Sequence, residues 1–157
     1  MEDKEYKSIL SKMCSLCARR EKCEYDILQK LIKLEVDDSN QKRIIEYLHE
    51  NNYINHQRYA DAFVNDKFKF NKWGKRKIRQ NLKFRQIESK YIEVSLSNLN
   101  YDDYKSILED ILRKKRKQIT DKNEFKIKQK LLNHAVSRGF EAELIFEIIS
   151  NLKLSQI

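Results

Sequence analysis

The chain contains no proline, two glycines (Gly74 and Gly139) and a single tryptophan, Trp73, in 157 residues. Strand-rich folds need turn residues that this composition does not supply, so helix is the expected structure. No apolar stretch approaches the roughly 18 residues that a transmembrane helix requires. The amino-terminal Met1-Glu2-Asp3-Lys4-Glu5 is charged where a secretion signal would be apolar. Cysteine is scarce, at three residues, and outside a secretory context such thiols are expected to be reduced and not bridged. The expectation is a cytoplasmic helical protein with no membrane partner.

What is present points the same way. Charged residues make up 36% and hydrophobic residues 40%, too apolar for a disordered chain. Abundant Lys, Glu, Leu, Ile, Gln and Arg favour helix. The net charge of +9 is unevenly placed. Residues 67–90 hold ten Lys/Arg and one acid, Glu88; residues 113–130 hold nine basic and two acidic residues. Two positive bands thus stand on a mildly acidic remainder, which implies a polyanionic or acidic partner.

A repeat of about 50 residues organises the chain. Ile27-Leu28-Gln29-Lys30-Leu31 recurs as Ile78-Arg79-Gln80-Asn81-Leu82 and as Ile127-Lys128-Gln129-Lys130-Leu131. An apolar residue follows each copy: Val36, Ile87, Phe140. An amphipathic stretch comes next, carrying Ile44, Ile45 and Leu48; Ile92, Leu96 and Leu99; or Leu144, Ile145, Ile148, Ile149 and Leu152. Spacings of three and four place each set on one helix face. A further amphipathic segment precedes each motif, from about 9–20, 58–70 and 104–118. In the middle one, Tyr59, Phe63 and Phe70 form a stripe with Ala60 and Val64. Each repeat therefore reads as helices A, B and C, with repeats over 1–54, 55–100 and 101–157. Asn and Asp clusters at 51–55 and 98–103 fit turns and helix N-caps. Gly74 and Gly139 fit corners that need a positive φ.

Arg58-Tyr59-Ala60-Asp61-Ala62-Phe63-Val64, followed by Trp73-Gly74-Lys75-Arg76-Lys77-Ile78-Arg79-Gln80-Asn81-Leu82, resembles the second repeat of the RecX family. Leu48-His49-Glu50-Asn51-Asn52-Tyr53-Ile54-Asn55 resembles that family's junction between repeats. Asn52 stands where glycine is usual, and Arg85-Gln86 replaces a typical Lys-Gly. The resemblance implies an all-α protein of three tandem three-helix repeats forming an elongated, curved body. It implies binding to RecA protein or in the groove of the RecA–DNA filament, contact with DNA, inhibition of strand exchange and the coupled ATPase, and no catalytic residues.

The candidate binding residues are Lys72, Trp73, Lys75, Arg76, Lys77, Arg79 and Lys83 in the first band, and Arg113, Lys114, Lys115, Arg116 and Lys117 in the second. Trp73 fits a corner that caps the core between helices A and B, and equally an aromatic platform beside basic side chains. The start of the following helix offers backbone N–H groups to an anion. Nothing in the bands resembles a base-reading code, so contact with DNA phosphates independent of sequence is expected. The run 113–117 exceeds what a helix C-terminus needs for favourable charge.

Cys14, Cys17 and Cys23 lack a fourth ligand at zinc-site spacing and read as small apolar residues. The three histidines, His49, His56 and His134, read as scattered, and no nucleophile–base set or phosphate loop is recognisable. No metal, cofactor or enzymatic activity is expected, and a monomer is. Two other readings of the same residues are a sequence-independent helical DNA- or RNA-binding protein and a scaffold for an acidic partner.

Overall fold

The computed structural model describes residues 1–152. Among them are nine helices and no strand: α1 (Asp3–Arg19), α2 (Glu24–Lys33), α3 (Asp38–Glu50), α4 (His56–Lys69), α5 (Lys75–Phe84), α6 (Ser89–Ser97), α7 (Tyr101–Gln118), α8 (Glu124–Ser137) and α9 (Ala142–Asn151). They follow the A-B-C order three times. No helix among the described residues is long and apolar enough to cross a membrane.

The repeated motif forms the buried stripe of each B helix. Ile27, Leu31, Ile78, Leu82 and Leu131 are fully buried and Ile127 nearly so. The apolar residue after each B helix is buried as well, because all three B helices end in the same turn. Val36 N–H donates to Leu31 O at 3.1 Å, Ile87 N–H to Leu82 O at 3.1 Å, and Phe140 N–H to Ala135 O at 3.2 Å. The residue before each donates to the carbonyl one place further along: Glu35 to Ile32, Gln86 to Lys83, Gly139 to Val136. This is a Schellman motif, which needs a left-handed residue at its pivot. Glu35 (φ 57°), Gln86 (φ 59°) and Gly139 (φ 95°) supply it. Two of the three pivots carry a side chain, at a cost of about 1–2 kcal/mol each. Asn52 (φ 59°) serves the same purpose after α3.

Helix starts are capped as the composition implies. Asp37, Asn100 and Asn123 accept from the N–H groups of Asn40, Asp103 and Lys126. Asn55 Oδ1 accepts from Arg58 N–H at 2.8 Å at the start of α4. Such caps are worth about 1 kcal/mol each.

The chain divides into two compact units. One comprises Met1–Ala62 with Leu82–Ile92; the other comprises Phe63–Asn81 and the chain from Glu93 onward. In the first unit Ile9, Met13, Cys17, Ile27, Leu31, Ile44 and Leu48 form the core. Cys23, at the N-cap of α2, is fully buried. Burial pushes the Cys17 and Cys23 thiols up to about 11, which suits inert packing residues. Arg58 anchors a corner here: its Nη2 donates to Asn52 O at 3.0 Å and its Nε to Glu21. In the second unit Tyr104, Leu108, Leu112, Leu131, Ala135, Phe140, Ile145 and Ile148 are buried.

Two expectations need correction. Phe70 is 79% exposed and does not belong to the α4 stripe, which runs Ala60, Val64, Phe68. Helix α4 ends at Lys69, so the helical spacing that would have turned Phe70 inward has stopped. Gly74 does not have a positive φ; Lys72 (φ 55°) takes the left-handed position at that corner.

Candidate functional site

Gly74 is required for another reason: the chain's two glycines touch. A Cβ added at Gly74 would lie 2.3 Å from Gly139 C and O, and one at Gly139 would lie 2.3 Å from Lys77 Cβ. The α4–α5 corner thus presses directly on the α8–α9 corner within the second unit. Gly74 N–H donates to Arg138 O at 2.8 Å, and Arg76 N–H donates to Gly139 O at 3.0 Å. Between them, Lys75 N–H donates to the Tyr104 hydroxyl at 2.9 Å, and that hydroxyl donates to Glu141 Oε2 at 2.6 Å. The Tyr104 ring stacks on Phe68 at 5.7 Å and meets Phe140 at 5.1 Å.

This clasp corrects the expectation that the start of α5 receives an anion. The N–H groups of Gly74, Lys75 and Arg76 all have partners inside the unit. What the corner offers a ligand is side-chain charge.

That charge converges. A hollow of about 290 Å³ is bordered by Lys72 from the corner, by Lys114 and Lys115 from α7 and by Arg138 from the end of α8. Ile107 and Ile111 provide apolar lining. Arg138 Nη2 donates to the carbonyls of Asn71 and Lys72 and so ties the corner in place. Asp110 is the acid on the rim, and it pairs with Lys114 at 2.8 Å. His134 also lines the hollow, and burial, then the charges of Lys115 and Arg138, lower its pKa. A neighbouring hollow of about 470 Å³ sets Arg76 and Lys77 beside Ser137 and Gly139.

The candidate residues divide on this geometry. Lys72, Lys114 and Lys115 meet at the first hollow, and Arg76 and Lys77 meet at the second. Trp73 is half-buried, with Lys77 Nζ 4.6 Å and Lys67 Nζ 5.0 Å from its ring centre. Its face is occupied by cations, a contact worth about 0.5–1 kcal/mol where exposed. Lys75 Nζ lies 5.1 Å from the Tyr104 ring. Arg79 is held by Glu93 through two bonds, at 2.7 and 3.2 Å, and lines neither hollow. Lys83 falls within the first unit's segment Leu82–Ile92 and is exposed. Five successive residues of a helix go right round it at about 100° each, so the band 113–117 is not one ridge. Lys114 and Lys115 border the hollow while Arg113, Arg116 and Lys117 do not; Arg116 Nη1 donates to Ile119 O at 3.3 Å.

Arg138 is the participant that the sequence reading missed. It lies outside both bands, and only its place before Gly139 marks it. His49 and His56, unlike His134, are not scattered. Glu24, His49 and His56 bring one ligand atom each to within 4.8 Å of one another in the first unit.

Residues 55–96 match the family model for the second three-helix domain of RecX, and residues 102–149 match that for the third. The chain belongs to the RecX family. The regulatory protein RecX of Actinobacillus pleuropneumoniae serotype 5b is 30% identical over 125 residues, 80% of either chain. That of Clostridium beijerinckii is 31% identical over 133 residues, 83% of this chain, which spans 62% of that protein's length. That of Clostridioides difficile is 26% identical over 152 residues, covering 97% of this chain and 71% of the relative. Two crystal structures share the fold. A regulatory protein RecX superposes with a TM-score of 0.84 at 20% identity, over 94% of this chain and 72% of that one. RecX from Lactobacillus salivarius superposes with a TM-score of 0.83 at 17% identity, over 99% and 100%.

Proposed function

We propose that this RecX-family chain regulates the RecA recombinase by binding RecA or the groove of the RecA–DNA filament, and that it inhibits the coupled ATPase and strand exchange. The observation that carries the reading is the meeting of Lys72, Lys114, Lys115 and Arg138 around one hollow, beside Arg76 and Lys77. Cations gathered from three segments favour a polyanion, either DNA phosphate or an acidic protein surface. Arginine and lysine contacts to phosphate carry no base identity, so binding is independent of sequence and weakens as salt rises. The chain acts by occupying a surface, without catalysis, in the cytoplasm where RecA filaments form.

The test is RecA ATPase on single-stranded DNA with this protein well below one copy per RecA. Inhibition at such ratios supports filament binding. Inhibition only at amounts that saturate the DNA supports a sequence-independent nucleic-acid binder with no RecA role. Arg76→Glu with Lys77→Glu lowers the inhibition while helical content is kept; unchanged inhibition removes this corner from the mechanism.

A further inference from the structure

Glu24 opens α2, His49 lies in the last turn of α3 and His56 opens α4. Drawn from three helices, they converge in the first unit. His49 Nε2 lies 3.1 Å from Glu24 Oε2. The imidazoles of His49 and His56 meet edge to face at 5.4 Å, and all three ligand atoms lie within 4.8 Å of one another. Two ligands at about 2.0–2.1 Å from a tetrahedral metal stand roughly 3.3 Å apart. The His49–Glu24 pair already has about that spacing, and a ring nitrogen of His56 lies within 4.8 Å of both.

A second observation concerns His56 itself. Its Nε2 is shut off from solvent and makes no hydrogen bond, and the Tyr91 ring packs against the imidazole at 5.9 Å. Nitrogen atoms buried in this way are normally partnered. An ion between the rings offsets the lost hydration and relieves the approach of two imidazoles that otherwise only touch.

We propose that Glu24, His49 and His56 bind a borderline divalent transition-metal ion, with Zn²⁺ as the occupant. Two imidazoles and one carboxylate suit Zn²⁺ and disfavour Mg²⁺ and Ca²⁺, which take mainly oxygen ligands. Three protein ligands leave a fourth position for water. The ion ties the starts of α2 and α4 to the end of α3. Its effect is to stabilise the first unit, more so as free Zn²⁺ rises above its Kd.

The experiment uses the full chain without a histidine tag. Zn²⁺ is titrated by calorimetry, thermal melting is followed with and without ZnCl₂, and Co²⁺ is used as a spectroscopic substitute. The expected result is one Zn²⁺ per chain, a raised Tm, and Co²⁺ d–d bands without a thiolate charge-transfer band. His49→Ala, His56→Ala and Glu24→Gln each weaken binding roughly tenfold or more, whereas His134→Ala leaves it unchanged. His49 is exposed, so His49→Ala keeps the fold even if His56→Ala does not. No saturable Zn²⁺ uptake, unchanged uptake in His49→Ala, or a thiolate band with Co²⁺ overturns the proposal. Because the metal ligands and the residues of the basic hollows are different residues, the RecA assay on the metal-free protein tests the proposed function separately.

Discussion

Gly74→Ala is the sharpest probe of the clasp. The new Cβ would lie 2.3 Å from Gly139 C and O and 2.4 Å from Phe140 N. These are backbone atoms, which cannot swing aside as a side chain can, so the two corners must part. Overpacking of this kind costs about 1–3 kcal/mol. Parting also stretches the bonds from Gly74 N–H to Arg138 O and from Arg76 N–H to Gly139 O, each worth about 0.5–1.5 kcal/mol net. The expected loss is therefore roughly 2–6 kcal/mol. At about 2–4 °C per kcal/mol for a chain of this size, the second unit should melt roughly 4–24 °C lower. Gly139→Ala meets Lys77 Cβ at 2.3 Å and adds the strain of φ +95°, so it should cost more. Both changes part the same corners, so the double variant should cost less than the two single losses together. Thermal and urea unfolding measure all three variants. A Gly74→Ala protein melting within about 1 °C of the parent, or full additivity in the double variant, would refute the clasp.

Gln86→Gly should act in the opposite direction, raising stability by about 1 kcal/mol in urea unfolding, because Gln86 holds φ 59° at the turn after α5. Leu82→Asp places an unpaired charge at a fully buried position and should abolish cooperative melting, a loss of about 4 kcal/mol or more. Lys72→Glu with Lys115→Glu should weaken binding to single-stranded DNA and flatten its dependence on salt, whereas Arg113→Glu with Lys117→Glu should change it less; fluorescence anisotropy across a salt series compares them. His134 has a pKa below its ordinary value, through burial first and then Lys115 and Arg138, so the unfolded chain binds its proton more readily. The stabilisation is fully present above about pH 6.5 and is lost as pH falls through the folded pKa. Melting temperature should fall with acidification below that pH, less steeply in His134→Gln.

The repeat was readable because it is local. The pairs Ile27/Leu31, Ile78/Leu82 and Ile127/Leu131 mark the inner face of a helix by spacing alone. Val36, Ile87 and Phe140 follow at the distance one terminal turn imposes, lengthened in the third repeat because α8 is a turn longer than its counterparts. Phe70 misled because periodicity does not announce where a helix ends. The clasp was illegible for a different reason. Gly74 and Gly139 have nothing in common in sequence except their rarity, and their contact exists only once α5 and α8 pack. The same holds for Arg138, which joins the basic surface through space, and for Glu24, His49 and His56. The run 113–117 was over-read, since adjacency in sequence scatters side chains around a helix instead of aligning them.

Trp73, the one indole in the chain, stands at the clasped corner with two lysine ammonium groups near its ring. Its emission consequently monitors that corner, next to Lys72 of one hollow and close to Lys77 of the other, with no label attached. A ligand that draws Lys77 or Lys67 away changes the field on the ring and hence the colour and yield of its light.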